Sequence, residues 1–359
     1  MNRTGQKTAF SIPLMVLSAF IWAPAAHAQQ AVTTVPEPTL EQKIPDDVIK
    51  SDKSNIITLV LENDLYGGGT DSNYSNGVRL SYLDLAAEMP DWLSDVTSFI
   101  PGFEVNETTS YMVSAGQNLY TPHDITQSVQ DPNDRPWAAF LYGSMGVLTI
   151  VDNHIDEIEL TAGVVGPAAL GRETQTFIHE HVSDSPKPRG WDNQLKNEPA
   201  LMLAWQREWP EFISSNVGGL TWALSPYIGT TIGNVYTYSD VGISMRLGPH
   251  SEKWQDTPTR VRPAMPGSGF FEVPVKKWSW YVFGGIEGRA VARNIFLDGN
   301  TFTDSHSVDK NWGVADANAG LAFTYDQFRI SYTAVYRTKE FETQEDPEVF
   351  GAITMGYRF

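Results

Sequence analysis

Residues 57–82 read ITLVLENDLYGGGTDSNYSNGVRLSY, two alternating segments on either side of a polar, glycine-rich connection. Ile57, Leu59 and Leu61 share one face and Thr58, Glu62 and Asp64 the other; the alternation resumes with Val78, Leu80 and Tyr82 against Ser75, Arg79 and Ser81. A period of two with one apolar and one polar face predicts a β-hairpin. In the connection, Gly67, Gly68 and Gly69 reach backbone conformations closed to other residues, and Asn63, Asp64, Asp71 and Asn73 crowd oxygen donors into a short span. Turns recruit the same residue types, so composition leaves two readings open here, a metal or catalytic site and an ordinary loop.

Both ends of the chain bear on where that hairpin sits. Arg3 and Lys7 precede an apolar run at 10–22 that is short for a membrane helix, and Ala26-His27-Ala28 closes it with the small-x-small pattern of signal peptidase cleavage. Residues 1–28 are therefore expected to be an export signal. They hold two basic residues and no Asp or Glu, so their removal moves the formal charge from −18 to −20. Nucleic acid, whose phosphates need a basic partner, is excluded as a ligand class, whereas a divalent cation held by carboxylates could bridge to a lipid phosphate. The absence of Cys removes disulfides and thiolate metal sites together. At the far end, GAITMGYRF sets Ile353, Met355, Tyr357 and Phe359 against Ala352, Thr354, Gly356 and Arg358. This resembles the closing strand of bacterial outer-membrane barrels, which typically ends in Phe. The chain's 11 Trp, 14 Tyr and 17 Phe, set mostly in alternating segments, suit the aromatic girdles of such a barrel. Any amphipathic edge strand alternates in this way; the export signal and the terminal Phe359 together favour the barrel.

Between these ends the chain reads as an all-β, antiparallel transmembrane barrel of about twelve strands, with both termini periplasmic. Residues 29–53 are acidic and proline-bearing without a sustained period, a flexible periplasmic extension, and residues 54–359 form the barrel. Asp152-Asn153-His154 is a tight turn, and residues 120–136 a loop rich in Asp and Pro. A short helix is expected at 91–99 and an extracellular one at 167–181, where the period changes. Residues 250–275 interrupt the pattern on the periplasmic side, where turns are ordinarily short.

Several motifs together resemble the outer-membrane lipid A deacylase family, the lipid A 3'-O-deacylases: Glu62-Asn63-Asp64, residues 71–77 (DSNYSNG), Gly163-Val164-Val165-Gly166-Pro167 followed by Gln175 and His179, and Gly190-Trp191-Asp192-Asn193-Gln194. The resemblance spans nearly all of the chain beyond the extension. It implies a twelve-stranded barrel whose site, near the outer leaflet, uses calcium to remove an ester-linked 3'-acyloxyacyl chain from lipid A of lipopolysaccharide. Asn63 and Asp64 match the family's Asn-Asp pair, Ser75 its hydroxyl residue after Tyr, and Gln175 and His179 its Gln-x-x-x-His, which a helix presents on one face. Asn63 and Asp64 are consecutive, so both serve one site only if the strand ends or bulges there. Asp64 with Asn63 is the expected calcium set, His179 the expected general base on water, and Ser75 a positioning hydroxyl. Two family features are missing: no lysine lies between Lys53 and Lys187, and 185–189 (SPKPR) occupies the place of the family's tyrosine. Lys187 and Arg189 could make the phosphate contacts instead. Two other functions fit a barrel, a phospholipase using Ser75 with a histidine, and a non-catalytic channel or scaffold. A monomer is the simplest expectation.

Overall fold

The computed structural model describes residues 39–43, 54–67, 73–181, 185–250, 270–271, 273–274 and 277–359. The expected signal at 1–28, most of the extension at 29–53, and Gly68, Gly69 and Asp71 lie outside these residues.

Antiparallel strands follow one another around a closed wall: β1 (Asn55–Asn63), β2 (Asn73–Asp84), β3 (Ser110–Thr121), β4 (Ala138–Val151), β5 (His154–Val165), β6 (Glu198–Glu208), β7 (Ile213–Val217), β8 (Leu220–Gly233), β9 (Tyr236–Pro249), β10 (Trp278–Asn294), β11 (Gly313–Tyr325), β12 (Phe328–Arg337) and β13 (Glu348–Arg358). β1 pairs with β13, closing one seam, and the backbones of Asn55 and Phe359 exchange hydrogen bonds of 3.0 and 2.9 Å. β6 and β7 both pair with β8: Glu208 faces Tyr227 and Ile213 faces Leu224, so four residues oppose two. They are one strand broken at Trp209-Pro210, where proline cannot donate to the ladder. The wall therefore has the twelve strand positions expected.

Alternation assigns each side chain to lumen or exterior. Thr58, Glu62, Arg79 and Ser81 are buried in the lumen, while Ile57 and Leu80 are 40% and 51% exposed on the outside, the arrangement of a barrel in an apolar surround. Charged side chains pair across the lumen. Arg79 meets Glu159 at 2.7 Å, Arg337 and Arg289 both meet Asp316, and Arg135 meets Glu340 at 3.3 Å. At the end carrying Asn63, the short helix α4, the element Ile295–Asp298, folds inward; its buried Phe296 stacks on Tyr120 with ring centroids 3.9 Å apart. At the opposite end, Phe270 and Phe271 are buried among Ile56, Leu83 and Ile155, and their carbonyls accept from Arg329 and Arg358.

Other elements sit on the connections. Within the stretch expected to be a flexible extension, α1 (Leu40–Lys43) docks on the β4–β5 turn: Glu41 N–H donates to the Asp152 carbonyl at 3.0 Å and Asp152 N–H to the Glu41 carboxylate at 2.8 Å. That segment is a built part of the barrel end, because both partners of the turn are fixed by a two-residue hairpin. α2 (Trp92–Thr97) lies in the β2–β3 connection and α3 (Gly171–His181) in the β5–β6 connection, as the change of period indicates.

Candidate active site on the outer wall

β1 stops at Asn63, and Asp64 opens a single 3-10 turn, Asp64–Tyr66. This is the strand ending that two consecutive residues need to serve one place. By alternation Asn63 continues the outward row of Ile57, Leu59 and Leu61. In the ladder it faces Asn76, which faces Leu119, which faces Ala139, and the Ala139 carbonyl accepts from Gly166 N–H at 3.0 Å. One height of the outer wall thus runs from β1 to the start of the β5–β6 connection.

A bulge in β2 adds to this row. Tyr74 pairs with Tyr120 and Asn76 with Leu119, leaving Ser75 as the extra residue. Tyr74 points into the lumen, where it packs on Tyr120 and Phe350. Ser75 consequently turns outward, and its hydroxyl lies 2.6 Å from that of Thr121. The simple alternation that groups Ser75 with Arg79 and Ser81 is therefore corrected: the inserted residue moves its side chain across the wall. Asn63 Nδ2 donates to the Ser75 carbonyl at 2.8 Å, tying the strand end to the bulge. Asp64 is fully buried.

Helix α3 covers the outer face of β3 and β4. A Cβ on Gly171 would lie 2.5 Å from Ala139 Cβ and 2.6 Å from the Trp191 ring, so only glycine lets the helix begin this close to the wall. Gly166, at φ 104°, makes the turn into it. Gly171, Gln175 and His179 are the buried residues of the helix, spaced by four along one side. Gln175 is 3% exposed, and its Oε1 accepts from the Trp191 indole N–H at 2.8 Å. Its Nε2 is buried without a hydrogen-bond partner among the described residues. Trp191 lies against Trp137, ring centroids 5.1 Å apart, in a cluster with Leu119, Ala139 and Ala169.

His179 Nδ1 lies 2.7 Å from the Pro186 carbonyl. A carbonyl only accepts, so Nδ1 carries the proton and the lone pair of the neutral ring is on Nε2. His181 instead lies on the exposed side, stacked on Phe177 at 4.7 Å. Lys187 pairs with Glu180 at 3.1 Å on the surface, and Arg189 is exposed, anchored through its backbone to the Ile125 carbonyl. Arg135, a basic residue in the lysine-free stretch between Lys53 and Lys187, is buried and paired with Glu340, so it is committed to the lumen.

Asp64 and Asn63 offer hard oxygen donors of the type calcium takes, but no cluster of three or more His, Asp or Glu that could hold a metal occurs among the described residues. Calcium takes six to eight oxygens, so an ion held by these two side chains would draw the rest of its shell from carbonyls, water and ligand. Three participants escaped the sequence reading. Thr121 and the Pro186 carbonyl are met only through folding; Trp191 lies in a flagged motif, but its bond to Gln175 leaves no mark in the sequence.

A sequence comparison with curated proteins gives no match. Among solved structures, LpxR from Salmonella typhimurium superposes with a TM-score of 0.67 at 20% identity, covering 85% of this chain and all of that one. The β domain of the Bordetella autotransporter BrkA matches at a TM-score of 0.40 and 8% identity over 86% of this chain. The family model described as outer membrane protein LpxR matches residues 14–359. With a closed twelve-position wall and a match over nearly its whole length, the chain belongs to the LpxR family of outer-membrane proteins, the lipid A deacylases that its motifs resemble.

Proposed function

We propose that this protein is a calcium-dependent hydrolase that removes the ester-linked 3'-acyloxyacyl chain of lipid A in the outer leaflet. The observation that supports it is sidedness: Asn63 and Ser75 face outward at one rim of the barrel, next to a helix that buries Gln175 and His179 against the same wall. A lipid whose ester lies at the boundary of acyl chains and head group reaches that rim from the side, without leaving the membrane. A barrel in lipid otherwise keeps this surface apolar.

His179 acts as the general base. With Nδ1 held by the Pro186 carbonyl, Nε2 accepts a proton from water as the water oxygen bonds to the ester carbonyl carbon. The carbon–oxygen bond to the sugar then breaks, the sugar oxygen takes up the proton, and a fatty acid and a free hydroxyl result. Asp64 and Asn63 would hold calcium, which when bound would supply charge stabilisation to the carbonyl oxygen. Ser75, engaged by Thr121 at 2.6 Å, serves in positioning; a serine nucleophile would need its hydroxyl directed at an imidazole.

Mass spectrometry of lipid A from a strain expressing the protein is the direct test. Loss of one 3'-acyloxyacyl unit is expected, abolished by excess chelator in isolated membranes and restored by calcium. Lysophospholipid with intact lipid A would replace this reading with a phospholipase. Unchanged lipids of both kinds would leave a non-catalytic barrel.

A further inference from the structure

Gln175 and Trp191 form a directional pair. The indole N–H is a donor with no acceptor capacity, so the amide group beside it must present Oε1, at 2.8 Å, and cannot present its nitrogen. An amide free to rotate would expose either end; this one is fixed with Nε2 turned away from Trp191. That nitrogen is buried and meets no hydrogen-bond partner among the described residues, although leaving such a donor unsatisfied is unfavourable. The indole is itself immobilised by the Trp137 ring and by the close approach of Gly171. The cluster holding the two indoles also contains Leu119 and Ala139, members of the same outer-wall row as Asn63.

Resting on the deacylase reading, we infer that Trp191 is a positioning residue whose indole N–H sets the Gln175 amide so that Nε2 donates a hydrogen bond to the carbonyl oxygen of the scissile ester. The bond strengthens as negative charge builds on that oxygen, so it favours the transition state over the bound substrate. Trp191 touches no reacting atom; it acts through Gln175 alone. Its indole also packs, and the two roles have different signatures.

The test is a double-mutant cycle on the purified full-length protein, with kcat and KM measured on lipid A and heat-modifiable mobility as the check on folding. Gln175→Met keeps the volume and removes the donor; kcat should fall about 100-fold or more at nearly constant KM, the range seen when one such donor is lost. Trp191→Phe keeps the ring and frees the amide, and should cost about tenfold in kcat. The double variant should be no slower than Gln175→Met alone, because without the amide the indole N–H has nothing to orient. Gln175→Glu supplies a second route: it still accepts from Trp191 but offers no N–H, so it should match Gln175→Met. Multiplying losses in the double variant, or a Gln175→Glu variant with most of its rate, would overturn the inference. An inactive wild-type protein would instead remove the deacylase reading on which it rests.

Discussion

The lumen and the outer rim of the same wall both hold buried polar side chains, and they differ in what those side chains meet. In the lumen, charges close on one another: Arg79 on Glu159, Arg289 and Arg337 on Asp316, Arg135 on Glu340. This is the polar interior that any barrel with an apolar exterior must have. At the rim, Asn63, Ser75 and Thr121 break an outward row that otherwise reads Ile57, Leu59 and Leu61, and a helix packs on the neighbouring strands β3 and β4. Polarity is ordinary on one side of the sheet and anomalous on the other. Sidedness, more than residue type, separates architecture from chemistry here.

Substitution at the two places should divide accordingly. His179→Ala, on the rim, should insert and fold normally yet lose about two to four orders of magnitude in deacylation rate, the usual contribution of a general base, while His181→Ala stays near wild type. Comparable rates for the two alanine variants in a lipid A assay would end the assignment. Arg79→Ala, in the lumen, strands the buried Glu159 carboxylate and should cost about 3 to 5 kcal/mol of stability. Denaturant titration should show that loss, while kcat per folded molecule holds; a catalytic defect in the folded fraction would mean that the lumen takes part.

Gly171→Leu tests whether the helix must lie close to the wall. The added side chain meets Ala139 and Trp191, so the helix should shift outward and the rate fall about tenfold with the barrel intact. The smallest effect belongs to the lumen mouth. Burial pushes the Glu340 carboxyl up, but the guanidinium groups of Arg337, Arg135 and Arg289 outweigh it and hold the group below its ordinary value of 4.5. A depressed folded value stabilises fully above the unfolded value and is lost as pH falls through the folded one. Wild-type stability should therefore decline below about pH 4.5 more steeply than that of Glu340→Gln, measured by unfolding at fixed denaturant across pH 3 to 7. Parallel curves would show that another carboxylate controls the acid limb.

Much of the architecture is legible from alternation alone, since a strand with lipid on one side repeats every two residues. The reading falls short where lumen residues are neither apolar nor simply polar. β9 runs over Tyr236–Pro249 and β10 over Trp278–Asn294, stretches in which tyrosines, glycines and arginines blur the period. The bulge at Ser75 is invisible for a related reason: one inserted residue reverses a side chain without changing composition. For the site, the motifs name Asn63, Asp64, Ser75, Gln175 and His179, while Thr121, Trp191 and the Pro186 carbonyl are partners found only through contacts. Those contacts arise from sheet register and loop closure, which local sequence does not encode.

The aromatic residues at the two ends of the lumen have a consequence for traffic. Phe296 stacks on Tyr120 at one mouth and Phe271 is fully buried at the other, so aromatic rings stand across both ends of the lumen. On the deacylase reading, a hydrolytic rim would draw its water from the aqueous side that bathes the sugar head groups, and the released fatty acid would enter the surrounding leaflet. Supply and disposal would thereby be sorted by solubility, each along its own phase, with the lumen taking no part in turnover.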